Sequence, residues 1–190
     1  MNTELTKNKI NIYHLCFIAL AICINVAGGQ IALLFHLPIY FDSIGTVFVG
    51  AVLGPVYGML PNVLSGLIMG FTSDIYSLYY APVGIILGLM TGLVYKKKSD
   101  NRWWIFLAAL IITLPSTLVS ASITANLFGG ITSSGSTVLV QLFNKSLHFG
   151  LTASCFIVQF LTDYLDRIVA LFVVNRLLQI LPEHFFQRFK

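Results

Sequence analysis

The sequence predicts an all-α integral membrane protein, a bundle of six transmembrane helices with an additional outer helix or re-entrant segment between spans 5 and 6. Of its 190 residues, 57% are hydrophobic and 9% are charged, which leaves too little polar surface for a soluble domain. Apolar runs long enough to cross a bilayer recur along the chain. Small residues recur every fourth position within them, a spacing that lets helices pack closely in lipid. We expect one membrane domain over residues 1–190.

The six predicted spans cover residues 10–36, 42–54, 56–71, 81–96, 103–127 and 160–181. Lys7 and Lys9 precede the first span and place the N-terminus in the cytoplasm. The apolar run that follows is too long for the hydrophobic region of a signal peptide, so we expect a retained span. Asn25 and Gln30 should form hydrogen bonds inside the bundle, because an unpaired amide is costly in lipid.

Spans 2 and 3 are predicted to form a tight hairpin that turns at Gly54 and Pro55. Asp42 and Ser43 stand where a helix N-cap belongs, so capping is the expected role of Asp42. Two ladders of small residues follow, Gly54, Gly58, Asn62, Gly66 and Gly70 in span 3 and Gly84, Gly88 and Gly92 in span 4. Such ladders predict close contact with neighbouring helices.

Residues 71–80, FTSDIYSLYY, form the predicted outside connection between spans 3 and 4. Its three tyrosines are typical of an interfacial belt, and a lid over a pocket is the alternative. Span 4 ends in Lys96, Lys97 and Lys98, which mark the next connection as cytoplasmic.

Span 5 is the most polar of the predicted helices. Its small and hydroxyl residues lie on two adjacent stripes, Ser116, Ser120 and Thr124 on one and Thr113, Thr117, Ala121 and Ala125 on the other. These stripes should face inward. The hydroxyls either bond to carbonyls of their own helix or line a ligand cavity.

Residues 137–160 are interrupted by polar side chains, so we interpret them as the outer helix or re-entrant segment, with a seventh span as the alternative. In span 6, Asp163 and Arg167 are four residues apart and could neutralise each other, and Asp166 is the alternative partner of Arg167. Basic residues near the C-terminus, Arg176, Arg188 and Lys190, place it in the cytoplasm. Two cytoplasmic termini require an even number of crossings and favour six.

The sequence carries no recognisable catalytic constellation, metal-ligand spacing or ATP-binding motif, so we expect neither an enzyme nor a cofactor. Cys16, Cys23 and Cys155 lie in apolar surroundings and suggest free thiols. The net charge of +4 lies in connections and at the chain ends, which indicates membrane topology and argues against a nucleic-acid partner.

Several segments of residues 28–182 together resemble the substrate-binding S component of energy-coupling-factor (ECF) transporters. They are PIYFDSIGT at residues 38–46, VLGPVYG at 52–58, Ala81-Pro82 with Gly88, and Asp166-Arg167. The resemblance implies a protein of the cell membrane that captures a vitamin or similar micronutrient outside. It also implies three partner subunits, a transmembrane coupling subunit and two ABC-type ATPases.

The resemblance further implies a docking face of small residues on the first helix, here Ala19, Cys23 and Ala27, and a pocket closed by outer loops. Those loops contain the candidate substrate-binding residues Asp42, Asp74, Tyr76, Tyr79, Asn126 and Asn144. Tyr80 and Gln141 add a further ring and a further amide. Tyrosine faces with a few directional polar groups suit a small heteroaromatic ligand, neutral or weakly cationic, such as a vitamin or nucleobase, bound without metal.

Two other classes remain open. A small polytopic membrane sensor or interaction module would share the composition and the lack of catalytic motifs. A self-sufficient carrier or channel would need charges along a continuous path, whereas Asp and Arg here lie near the predicted span ends.

Overall fold

A computed structural model describes residues 11–97, 103–146, 150–182, 185, 186 and 189. The described residues form eight α-helices and no β-strand. The helices are α1 (Ile12–Leu34), α2 (Ile44–Leu53), α3 (Pro55–Thr72), α4 (Tyr76–Tyr79), α5 (Ala81–Lys96), α6 (Trp104–Phe128), α7 (Ser136–Ser146) and α8 (Leu151–Ile180). The predicted all-α class is confirmed.

Two helices, α1 and α6, are long and apolar enough to cross a membrane, with hydropathies of 2.1 and 2.0 over their best windows. Two more, α2 and α5, are apolar but shorter, at 10 and 16 residues. Length and composition therefore support membrane insertion for part of the bundle.

The long helices run alternately up and down. Phe17 of α1 contacts Phe48 of α2, while Asn25, further along α1, reaches back to Thr46. Helices α6 and α8 are antiparallel in the same way. Thr117 of α6 bonds to Asp163 of α8, and Ser120, further along α6, bonds to Gln159, which comes before Asp163 in α8. The connections at residues 35–43, 73–80 and 129–135 consequently meet at one end, which we call the upper end.

The two glycine ladders face each other across α3 and α5. A Cβ on Gly84 would overlap the Asn62 side chain, and one on Gly88 would overlap the carbonyl of Gly58. At the lower end, Gly92 is equally close to the backbone of Pro55. The predicted close packing is observed: the two helix backbones touch at Gly88 and at Gly92, and the Asn62 side chain fills the space at Gly84.

The predicted hairpin is also present. Gly54 has a φ of +86°, a conformation that favours glycine, and Pro55 is the first residue of α3. The expected capping role of Asp42 is wrong, because the N-cap of α2 is Ser43 and no side chain caps the helix. The Ser43 hydroxyl instead donates to Asp166 of α8.

Residues 137–160 differ from the prediction. They contain the short helix α7 and the first ten residues of α8, separated by a break at Gly150, which has a φ of +78°. The predicted start of the last span at residue 160 is therefore wrong. Gln159 looked like a polar interruption, yet it is buried inside α8 and bonded to Ser120 and Thr124 of α6.

Below the polar upper end lies an apolar core. Its buried residues come from five helices: Phe17, Ile18 and Ala21 of α1; Val47, Phe48 and Val49 of α2; Leu87 of α5; Trp104, Ala108, Ala109 and Ile112 of α6; Ala170, Leu171 and Val174 of α8. Both amides of α1 form hydrogen bonds as expected. Asn25 Nδ2 donates to Thr46 Oγ1 (2.8 Å), and Gln30 Nε2 donates to Ser73 Oγ (2.6 Å).

Candidate functional site

A cavity opens between the helices at the upper end of the bundle. Measured as space open to the centre of a water molecule, its volume is ≈ 130 Å³. This is enough for a small organic molecule.

The cavity lining is polar for a site inside an apolar bundle. The lining residues belong to three connections, the second of which includes α4, and to the five helices α3, α5, α6, α7 and α8: Pro38, Ile39, Tyr40, Asp42, Asn62, Ser65, Gly66, Met69, Asp74, Tyr76, Ser77, Tyr80, Val83, Leu87, Ser120, Thr132, Ser133, Ser134, Ser136, Gln159, Thr162, Asp163, Asp166 and Arg167. Among these residues are four of the five aspartates in the chain and one basic residue.

The connection at residues 35–43 crosses the cavity and is held at several points. His36 and Phe41 have φ values of 49° and 53°, which side-chain-bearing residues rarely adopt. The backbone N–H of Phe41 donates to Asp166 Oδ1 (3.1 Å). Gly28 and Gly135 lie directly against the carbonyls of Phe41 and His36, where a Cβ would overlap them. This path of the chain depends on both glycines and on the Asp166 carboxylate.

Asp166 and Arg167 form an ion pair at the side of the cavity, through Arg167 Nη1 and Asp166 Oδ2. Both residues are buried, at 3% and 6% exposure. Asp166 also accepts from Ser43 Oγ (2.7 Å) and from the Phe41 amide, so its carboxylate joins α8 to the segment before α2.

Arg167 pairs with Asp166, one of the two carboxylates expected to match it, and not with Asp163. Asp163 Oδ2 accepts from Thr117 Oγ1 (2.8 Å), while Arg167 uses the adjacent Asp166. The sequence spacing correctly placed Asp163 and Arg167 on one side of the helix. The choice of partner depends on Ser43 and Thr117, which come from other helices.

Asp42 lies in the same connection, next to the start of α2, and its side chain lines the cavity. Burial raises the pKa of Asp42 to about 6, and the nearby Asp166 carboxylate adds to the increase, while Arg167 opposes it. Among the described residues no other side chain donates a hydrogen bond to this carboxylate.

Two tyrosines of the lining use their hydroxyls within the protein. The hydroxyls of Tyr40 and Ser133 are hydrogen-bonded at 3.0 Å, and those of Tyr80 and Thr124 at 2.6 Å. Burial raises the pKa of Tyr80 to about 12. With their hydroxyls occupied, Tyr40 and Tyr80 contribute mainly ring carbon to a ligand.

Of the predicted substrate-binding residues, Asp42, Asp74, Tyr76 and Tyr80 line the cavity. Asp74 accepts from Ser77 (2.8 Å), another lining residue.

The other four predicted residues are outside the lining. Tyr79 is half exposed, and its ring packs against Phe128. Asn126 is exposed, Asn144 is half-buried, and Gln141 donates to the carbonyl of Gly130 (3.5 Å).

The predicted inward stripes of α6 are buried as expected. Ser116 and Thr124 donate to carbonyls of their own helix, the local alternative, and Ser120 is the member that lines the cavity.

Sequence reasoning missed the polar residues that α8 supplies to the lining, namely Gln159, Thr162, Asp163, Asp166 and Arg167. A usable signal was present. Ionisable residues within an apolar helix are costly in lipid and indicate a functional site by default.

In the described part of the chain, no group of three or more His, Cys, Asp or Glu side chains could hold a metal ion. Comparisons of the sequence with protein-family profiles and with curated proteins, and of the structure with solved structures, gave no match.

Proposed function

We propose that this protein is the membrane-embedded substrate-capture subunit of an ECF-type importer, which binds a small molecule outside the cell and delivers it inward. The observation that carries the proposal is the polar cavity at the upper end of the bundle, lined in part by the segment at residues 35–43. A closed apolar core fills the bundle below it. A site that is open to one end and sealed from the other suits capture, and transport then requires help from other subunits.

Insertion in the cell membrane is supported by the outer surface of the bundle. Large apolar side chains are exposed on every long helix, for example Leu34, Val56, Leu118 and Phe172. A soluble monomer rarely exposes apolar surface so widely, whereas lipid would cover it. In the proposed topology six helices cross the bilayer and both termini are cytoplasmic.

A partner on α1 is supported by the orientation of its small residues. Ala19, Cys23 and Ala27 are all exposed and lie on one face, four residues apart. None of them contributes to the cavity. The face is therefore free for the proposed coupling subunit, which would work with two ABC-type ATPases.

The proposed function is tested by purifying the tagged protein from its native membrane in mild detergent. We expect a transmembrane subunit and ABC-type ATPases to copurify, and mass spectrometry to find a small molecule released when the protein is denatured. Absence of both would contradict the proposal and favour a membrane sensor or interaction module.

The proposed topology is tested by labelling single cysteines in a background without Cys16, Cys23 and Cys155. Lys97→Cys lies at the lower end of α5, and Ser134→Cys lies in the connection before α7 at the upper end. We expect an impermeant maleimide to label Ser134→Cys in whole cells and Lys97→Cys only after the membrane is opened. Labelling of both from the same side would contradict the six-span arrangement.

A further inference from the structure

The charges of the cavity lining are strongly unbalanced. Asp42, Asp74, Asp163 and Asp166 stand against Arg167 alone, and Arg167 is already paired with Asp166. Of the other three carboxylates, Asp163 accepts a hydrogen bond from Thr117 and Asp74 accepts one from Ser77. Asp42 accepts none from another side chain among the described residues. Carboxylates enclosed in an apolar bundle need a positive partner more than those at a surface do.

A second observation is that Arg167, the basic residue of the lining, is already engaged. It is only 6% exposed and forms an ion pair with Asp166. Its Nε is enclosed by the protein and has no hydrogen-bond partner in the described part of the chain. Arg167 therefore leaves the other three carboxylates of the lining without an ion pair among the described residues.

We propose that the cavity binds a small organic cation, an amine, an amidine or a protonated nitrogen heterocycle, with its positive group held between Asp42 and Asp163. The inference rests on the proposed function, because it names the class of compound that the capture subunit takes up. The cavity has room for an organic molecule, so we infer an organic cation. Tyr40, Tyr76 and Tyr80 in the lining add aromatic rings, which attract cations.

The charge requirement is tested with three probes of one shape, 4-hydroxybenzamidine (a cation), 4-hydroxybenzamide (neutral) and 4-hydroxybenzoate (an anion). Each is a benzene ring with a phenol group opposite the variable end, so the three differ mainly in the charge of that end. We expect calorimetry on the dialysed protein to give an affinity for the amidine at least about tenfold above that for the amide. Equal affinity for the amide, or tighter binding of the benzoate, would overturn the inference.

The two carboxylates are tested by Asp42→Asn and Asp163→Asn. Each should lower the amidine affinity about tenfold and leave amide binding unchanged, because the substitution removes charge at constant shape. Asp100→Asn removes the same charge from the basic segment after α5 and should bind the amidine as the wild type does. If both cavity variants also bind the amidine normally, the assignment of Asp42 and Asp163 is wrong.

A pH titration of the unmodified protein keeps the inference testable if a variant fails to fold. The pKa of Asp42 is raised to about 6 by burial, so its carboxylate is ionised at about pH 7.5 and mostly protonated at about pH 5. One permanent cation, Arg167, lies among the groups around it, which also include Asp163, Asp166, Asp74 and Tyr40. A benzamidine keeps its positive charge across this pH range. Amidine affinity should therefore fall roughly tenfold on acidification. Constant or rising affinity would contradict the inference.

These outcomes are separable from those of the proposed function. Release of a neutral compound from the purified protein would overturn the cation inference and support the capture function. Amidine binding without copurifying ATPases would support the cation site and count against an ECF-type importer.

Discussion

Replacing Arg167 with methionine is expected to destabilise the protein by about 3–5 kcal/mol, the usual effect of removing one partner from a buried ion pair. The Asp166 carboxylate would keep the donors from Ser43 and Phe41 but lose the one cationic partner that it has in the described part of the chain. The negative charges of Asp163 and Asp42 would then lie near the Asp166 carboxylate without the positive charge of Arg167 to offset them. The loss is measured as the change in free energy of unfolding in detergent.

Arg176→Met is the matched control on the same helix. Arg176 is exposed, and its guanidinium lies over the Phe172 ring at 5.3 Å from the centroid. Removing it should cost about 0.5–1 kcal/mol, typical of an exposed cation–π contact. The double variant Asp166→Asn, Arg167→Met should recover part of the loss, since it also removes the Asp166 charge that Arg167→Met leaves unpaired. Equal stability of Arg167→Met and the wild type would show that the ion pair does not hold the upper end together.

Features fixed by local spacing were the most predictable from the sequence. The small residues of α3 and of α5 recur every fourth position, which places them on one face of each helix. Gly58 and Gly88 therefore come into contact when the two helices pack together. The turn at Gly54 and Pro55 is likewise local, since glycine permits the positive φ and proline begins a helix well.

Features fixed by partners on distant helices were the least predictable. Asp42 stands in a good capping position, but the neighbouring Ser43 begins α2 and bonds to a carboxylate that lies 123 residues away in the chain. The polarity of Gln159 suggested that it interrupts a membrane span, because its hydrogen-bond partners, Ser120 and Thr124, lie on α6 and cannot be predicted from the sequence around Gln159. The cavity residues of α8 were missed for the same reason.

Four of the predicted residues lie outside the lining for another reason. Tyr79, Asn126, Gln141 and Asn144 belong to the correct end of the bundle, yet position along a loop does not determine which way a side chain faces. The rings of Tyr76, Tyr79 and Tyr80 all pack against Phe128, but only Tyr76 and Tyr80 also line the cavity.

Placing tryptophan on the exposed face of α1 should abolish uptake without affecting the cavity. Ala19 and Ala27 are exposed and small, and a tryptophan there would hold any partner helix several ångströms away, because close approach depends on small residues. We expect Ala19→Trp and Ala27→Trp to bind the released ligand as the wild type does. ATP-dependent uptake into proteoliposomes containing the copurified subunits should fall to background.

Leu118→Trp puts the same bulk on an exposed position of α6 and should transport normally. Normal uptake by both alanine variants would exclude this face of α1 as the docking surface, whereas loss of ligand binding would mean that α1 shapes the cavity instead.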